Sequence, residues 1–144
     1  MNKEAIIAAL NRNLKREYAS VLFYIHTSNQ PDIYKNRMIK DILSRLAEEE
    51  MRHAEKIADK ISEMGGKSTW EIIPFDKKKT LWESLESIVQ SEEESIREYT
   101  DLIEKLPDDL SLKRVLQSIL NDEKNHRAKG EMLIRANAAL LGSV

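Results

Sequence analysis

The chain has 144 residues, 41% of them hydrophobic and 33% charged, with a formal net charge of −2. That length suits one domain spanning residues 1–144, long enough to bury a real core, and the interspersed charge gives no electrostatic case for nucleic acid or an anionic membrane surface. Cysteine is absent, which excludes disulfides, thiol catalysis and thiolate-held zinc or iron.

Four Gly and three Pro are too few turn residues for a many-stranded fold, so the chain reads as all-α. The start, Met1 to Leu10, lacks a signal-peptide apolar stretch of adequate length, and no apolar run approaches a membrane span. A cytoplasmic protein without a membrane partner is expected. A first helix is predicted from about Lys3 to Ser28, stopping before Asn29-Gln30-Pro31. A second starts near Pro31 or Asp32 and ends at Met64, where Gly65-Gly66 supplies a left-handed stop. The connection from Gly65 to Lys79 is longer and carries Trp70, Ile72, Ile73, Pro74 and Phe75. Its apolar centre predicts a crossover strapped along the bundle, with Lys77-Lys78-Lys79 as a solvated edge. Thr80-Leu81-Trp82-Glu83 has capping-box spacing and opens a third helix reaching about Leu106. Pro107-Asp108-Asp109 then turns into a fourth, ending before Gly142. Short first and third connections make each half an antiparallel hairpin, so the expected architecture is a four-helix bundle of two hairpins joined by the crossover.

Each helix carries a seam of inward residues at steps of three and four. The first has Leu10, Leu14, Val21, Tyr24 and Ser28; the second Ile39, Leu43, Leu46, Ile57 and Met64. The third has Leu81, Leu85, Ile88, Ser95, Tyr99, Leu102 and Leu106; the fourth Leu112, Leu116, Ile119, Gly130 and Leu133. Within these seams a pattern occurs twice: Glu17-x6-Tyr24 then Glu50-x-x-His53, and Glu92-x6-Tyr99 then Glu123-x-x-His126. The first element repeats after 75 positions and the second after 73. With 17 Glu in the chain, a Glu three before a given His is a roughly one-in-eight event, so two of three His meeting the test is on the order of 4%. The doubled pattern is therefore a signal.

Four carboxylates and two imidazoles are a ligand set for a pair of transition-metal ions. Residues three apart share a helix face, so the Glu and His of each Glu-x-x-His can meet one ion. Carboxylates amid an apolar seam cost several kcal/mol of hydration each unless a cation compensates them, and no Lys or Arg lies on these seams near the six. Glu92 is preferred within Glu92-Glu93-Glu94 because it alone fits the seam and the Tyr99 spacing. His26 has no motif partner and reads as solvent-facing or a helix cap.

From Glu17 to His126 this set and topology resemble the ferritin-like di-iron carboxylate superfamily, in particular bacterioferritins and the di-iron domain of rubrerythrins. The resemblance implies two iron ions bridged by Glu50 and Glu123, one completed by Glu17 and His53 and the other by Glu92 and His126. It implies a centre that oxidises Fe(II) with dioxygen or peroxide, or reduces peroxide; manganese suits the same donors. By the same resemblance Glu49 accepts a hydrogen bond from His126 and Asp122 from His53, the other reading of both being ordinary surface acids. Tyr24 and Tyr99 are read as hydrogen-bonding the ligand carboxylates or relaying electrons, or as core tyrosines with satisfied hydroxyls. Met51 matches the haem-ligating Met of bacterioferritins, but one match of that kind is ordinarily packing, and haem is not expected.

Ser95 stands where rubrerythrins carry a further carboxylate, which favours a symmetric six-ligand site. The chain ends soon after the fourth helix, without the short fifth helix of bacterioferritins, so a small oligomer is expected ahead of a closed storage cage. Around Tyr18, Leu22 and Phe23 the first helix is apolar almost all round, as a homodimer contact or burial under the crossover requires. Lacking cysteine, the protein needs an external electron-donor protein. The leading expectation is a di-iron oxidoreductase, rubrerythrin-like or ferroxidase-like; an iron-storage protein and a metal-free interaction module are the alternatives.

Overall fold

The computed structural model describes residues 1–78, 80–108 and 111–141, with side chains to residue 138. Lys79, Asp109 and Gly142, which bound the expected crossover, third turn and fourth helix, lie outside the described residues. The helices are α1 (Lys3–Ser28), α2 (Pro31–Tyr34), α3 (Arg37–Glu63), α4 (Leu81–Lys105) and α5 (Ser111–Leu141). The long four form an antiparallel four-helix bundle, α1 packing on α3 and α4 on α5. No helix among the described residues is long and apolar enough to cross a membrane.

Local chemistry sets the ends. Asn2 caps α1 by accepting from the Ala5 N–H at 2.8 Å, and Thr80 caps α4 by accepting from Glu83 at 3.1 Å. The second predicted helix is interrupted. Asn36 adopts an extended conformation and its side chain accepts from the Ile39 N–H at 3.3 Å, so a one-turn α2 is followed by a fresh start at Arg37. A short amide that can bond the backbone locally competes with helix continuation at such a position.

At the other end of α3 the chain closes a Schellman turn: Gly66 N–H bonds the Ile61 carbonyl and Gly65 N–H the Ser62 carbonyl, each at 2.9 Å, with Gly65 at φ 77°. A Cβ on Gly66 would stand 2.9 Å from Ile7 Cγ2 and 3.1 Å from Ile61 Cγ2, the first partly and the second fully buried. Gly66→Ala is expected to destabilise the fold by about 1–3 kcal/mol through overpacking; an unchanged thermal midpoint would contradict this contact.

From there the crossover runs along α1 in the same direction. Asn11 bonds the Lys67 carbonyl at 3.0 Å and the Thr69 N–H at 2.8 Å, and Ile73 N–H reaches the Lys15 carbonyl at 3.2 Å. Phe75 meets Phe23 edge-to-face at 5.4 Å. Polar bonds and one aromatic pair hold the strap, while Trp70 stays 91% exposed.

The seams bury as read except at three positions: Val21, Met64 and Leu81 are only half-buried. The apolar core is split in two. One cluster joins Leu10, Leu14, Ile57, Ile61, Leu116 and Ile119; the other joins Ile39, Leu43, Leu46, Leu85, Ile88 and Leu133. Residues 17, 50, 53, 92, 123 and 126 fall between these clusters along every long helix.

Candidate metal centre

All six sequence-predicted ligand residues come together midway along the bundle, each no more than 2% exposed. Glu50 and His53 project from one face of α3, Glu123 and His126 from one face of α5, and Glu17 and Glu92 enter from α1 and α4. The donors form two groups, Glu17–Glu50–His53–Glu123 and Glu50–Glu92–Glu123–His126, with ligand atoms within 4.8 Å of one another in each. Glu50 and Glu123 belong to both. Ser95, buried on the same seam, adds no carboxylate.

The two imidazoles stack at 5.6 Å with an interplanar angle of 18°, and both turn Nδ1 inward. His53 Nδ1 lies 2.9 Å from Glu123 and 3.5 Å from Glu50; His126 Nδ1 lies 2.6 Å from Glu50 and 3.6 Å from Glu92. Nε2 of each ring faces outward to an acid, His53 to Asp122 at 2.9 Å and His126 to Glu49 at 2.5 Å. Asp122 and Glu49 are partly exposed, so they sit at the surface and bond the rings as well. An Nε2–H donated to a carboxylate leaves the Nδ1 lone pair pointing into the cluster.

The tyrosines bond across the bundle. Tyr24 of α1 donates to Glu92 Oε1 at 2.7 Å, and Tyr99 of α4 donates to Glu17 Oε1 at 2.5 Å. One oxygen of each carboxylate is thereby held, and the other, Oε2, is buried without a hydrogen bond. Both phenols are pushed well above their ordinary pKa by burial first and then by the facing carboxylates, so they remain donors.

The electrostatics are those of a site short of positive charge. Burial, then neighbouring carboxylates, push Glu50 and Glu123 well up. Burial also acts on Glu92, but the neighbouring Glu123 and His126 and the Tyr24 hydroxyl outweigh it and hold its pKa down. For His126 burial opposes protonation, yet Glu92, Glu123 and Glu49 lift the pKa to about 9; His53 is raised against burial by Glu123, Glu17 and Glu50. Glu17 Oε2, Glu50 Oε1, Glu92 Oε2, both Glu123 oxygens and both inward Nδ1 atoms have no hydrogen-bond partner. Buried acceptors facing one another in this way suit a pair of cations.

Sequence reasoning missed Arg16, whose guanidinium grips Glu98 at 2.7 and 3.0 Å and Glu94 at 3.1 Å, tying α1 to α4 one residue from Glu17. The four-residue spacing of Glu94 and Glu98 was the available signal, but it does not name a partner on another helix. His26 is exposed, its Nε2 at 3.0 Å from Gln30.

No curated protein sequence matches the chain. Solved structures do. A ferritin-like, diiron-carboxylate protein from Bacillus anthracis is 27% identical with a TM-score of 0.83, covering 93% of this chain and 99% of that one. The Desulfovibrio desulfuricans bacterioferritin is 24% identical with a TM-score of 0.88, covering 97% and 83%. The dodecameric thioferritin of Bacteroides fragilis is 20% identical at 0.86, covering 99% and 92%. The family model of the ferritin-like domain matches residues 7–136, nearly the whole bundle and every residue of the cluster, and the chain therefore belongs to the ferritin-like family.

Proposed function

We propose that the protein is a di-iron carboxylate oxidoreductase, rubrerythrin-like or ferroxidase-like, in which an Fe(II) centre reacts with peroxide or dioxygen. The observation that carries this is the pair of four-donor groups sharing Glu50 and Glu123. On this reading Glu50 and Glu123 bridge, Glu17 and His53 complete one ion, and Glu92 and His126 complete the other. Iron bound there would supply one electron per ion to the oxidant; manganese would suit the same donors.

The chain's own residues prepare the site. Tyr24 and Tyr99 fix one oxygen of Glu92 and Glu17, leaving the other free to face an ion. Asp122 and Glu49 set the ring orientation and keep Nδ1 of each His available. The two apolar clusters above and below keep water from hydrating the carboxylates, which strengthens their hold on a cation.

The protein works in the cytoplasm as a homo-oligomer, the dimer favoured, with an external protein returning electrons. An apolar groove on the surface supports a self-contact: Tyr18, Leu22, Met51, Trp70 and Ile72 line it, and Leu22, Met51 and Trp70 are 47%, 48% and 91% exposed. Haem remains outside this reading. Iron storage is the second reading, favoured by the likeness to bacterioferritins. Mixing Fe(II)-loaded protein with hydrogen peroxide or dissolved oxygen is expected to oxidise about two iron per chain far faster than free Fe(II) in the same buffer; equal rates would sink the oxidoreductase reading. Light scattering separates the two, since a dimer cannot enclose a mineral, while a closed shell holding many iron atoms per chain is a store.

A further inference from the structure

A cavity of about 260 Å³ opens between α1, α4 and the crossover and reaches Tyr24 and Glu92. Tyr24 and Glu92 are buried and form its inner end, whereas the crossover residues around Phe75 are exposed and form its mouth. Its wall carries the Phe23–Phe75 pair. Dioxygen and hydrogen peroxide are two heavy atoms each and need only a narrow channel. A cavity of about 150 Å³ holds benzene, and drug-sized ligands take about 300–1,000 Å³, so this one matches a single ring or short alkyl group with a small polar end. Its partly buried cation, Arg16, is already balanced by Glu94 and Glu98, and the other, Lys78, lies at the exposed mouth, so the inner end offers no unbalanced positive charge to an anion.

The geometry points to a neutral alkyl or aralkyl hydroperoxide as the occupant, its ring or chain against Phe23 and Phe75 and its peroxy end toward Tyr24 and Glu92. This names the substrate class of the centre proposed above and rests on that reading. Reduction breaks the O–O bond of ROOH to give the alcohol ROH and water, with two protons from solvent and two electrons from the two-iron centre, which the external donor protein restores. Binding itself needs only the cavity.

The test is calorimetric titration of the full chain, as purified and iron-loaded, with 2-phenyl-2-propanol, the unreactive alcohol matching cumene hydroperoxide. Saturable binding is expected, weakened tenfold or more by Ser91→Phe, which fills the cavity from α4; Ser87→Phe on the same wall serves if the first variant melts early. In iron-loaded protein the ratio of rates on cumene hydroperoxide and hydrogen peroxide is expected to fall tenfold or more in the same variant. No saturable binding, or equal affinity and an equal ratio in variant and parent, overturns the proposal. The two readings fail separately. Alcohol binding by a chain that takes up no iron leaves the cavity assignment standing and removes the di-iron function, whereas an iron-loaded chain that reacts with hydrogen peroxide but does not bind the alcohol removes the cavity assignment alone.

Discussion

Glu50→Ala is expected to reduce bound iron from about two ions per chain to nearly none, while His53→Ala leaves about one. The difference follows from the sharing of donors: Glu50 belongs to both four-donor groups and His53 to one. Removing a shared carboxylate leaves each group with three donors and an uncompensated neighbour, whereas removing one imidazole leaves the Glu50–Glu92–Glu123–His126 group whole. Native mass spectrometry after anaerobic loading with Fe(II) reads both numbers in one measurement. Equal loss in the two variants would contradict the bridging assignment, and undiminished iron in Glu50→Ala would contradict the site itself. Folding is separated from binding by melting the metal-free variant beside the metal-free parent.

The second large effect is a dependence of stability on pH that metal abolishes. In the metal-free protein Glu50 and Glu123 are raised by burial and by facing carboxylates, and both imidazoles are raised by carboxylates against burial. A group whose folded pKa exceeds its unfolded value binds more protons in the folded state, so its stabilisation is full below the unfolded pKa and is lost as pH rises through the folded one. For His126 that window runs from the ordinary imidazole value of about 6.5 to about 9. The shift corresponds to a loss on the order of 3 kcal/mol across the window, or a fall in thermal midpoint on the order of 10 °C. Glu92, held down, works in the opposite sense, but its contribution is lost only as pH falls through the acid range. Metal-loaded protein has deprotonated donors balanced by cations, so its midpoint should stay nearly level over the same range, and loading should release protons. Thermal melts of both forms from about pH 6.5 to about pH 9 check the sign; a metal-free midpoint that rises with pH would falsify the assignment.

How much of this was legible in the sequence depends on how local each feature is. The six donors were readable because Glu-x-x-His lies within one turn of a helix and recurs in both halves. The ends of α1 and α4 were readable from Asn29-Gln30-Pro31 and the Thr80 cap. The break at Asn36 was not read, since Pro31 already supplied a plausible start and one capping amide among exposed polar residues stands out weakly. Tyr24 lies two turns from Glu17 on the same face, yet its hydroxyl goes to Glu92 on another helix. Helical spacing fixes the face a side chain presents, and only packing fixes what it meets. The grip of Arg16 and the cavity beside it arise where α1, α4 and the crossover converge, and no stretch of chain contains all three.

The crossed tyrosines also bear on how the two halves depend on each other. Tyr24 of the first hairpin bonds Glu92 of the second, and Tyr99 of the second bonds Glu17 of the first; each four-donor group likewise takes three residues from one hairpin and one from the other. Neither hairpin can assemble a complete donor set alone. The site thus acts as a checkpoint on assembly: it exists only once both hairpins have docked in register, and a slip of one helical turn between them would unmake both hydroxyl bonds and both four-donor groups together.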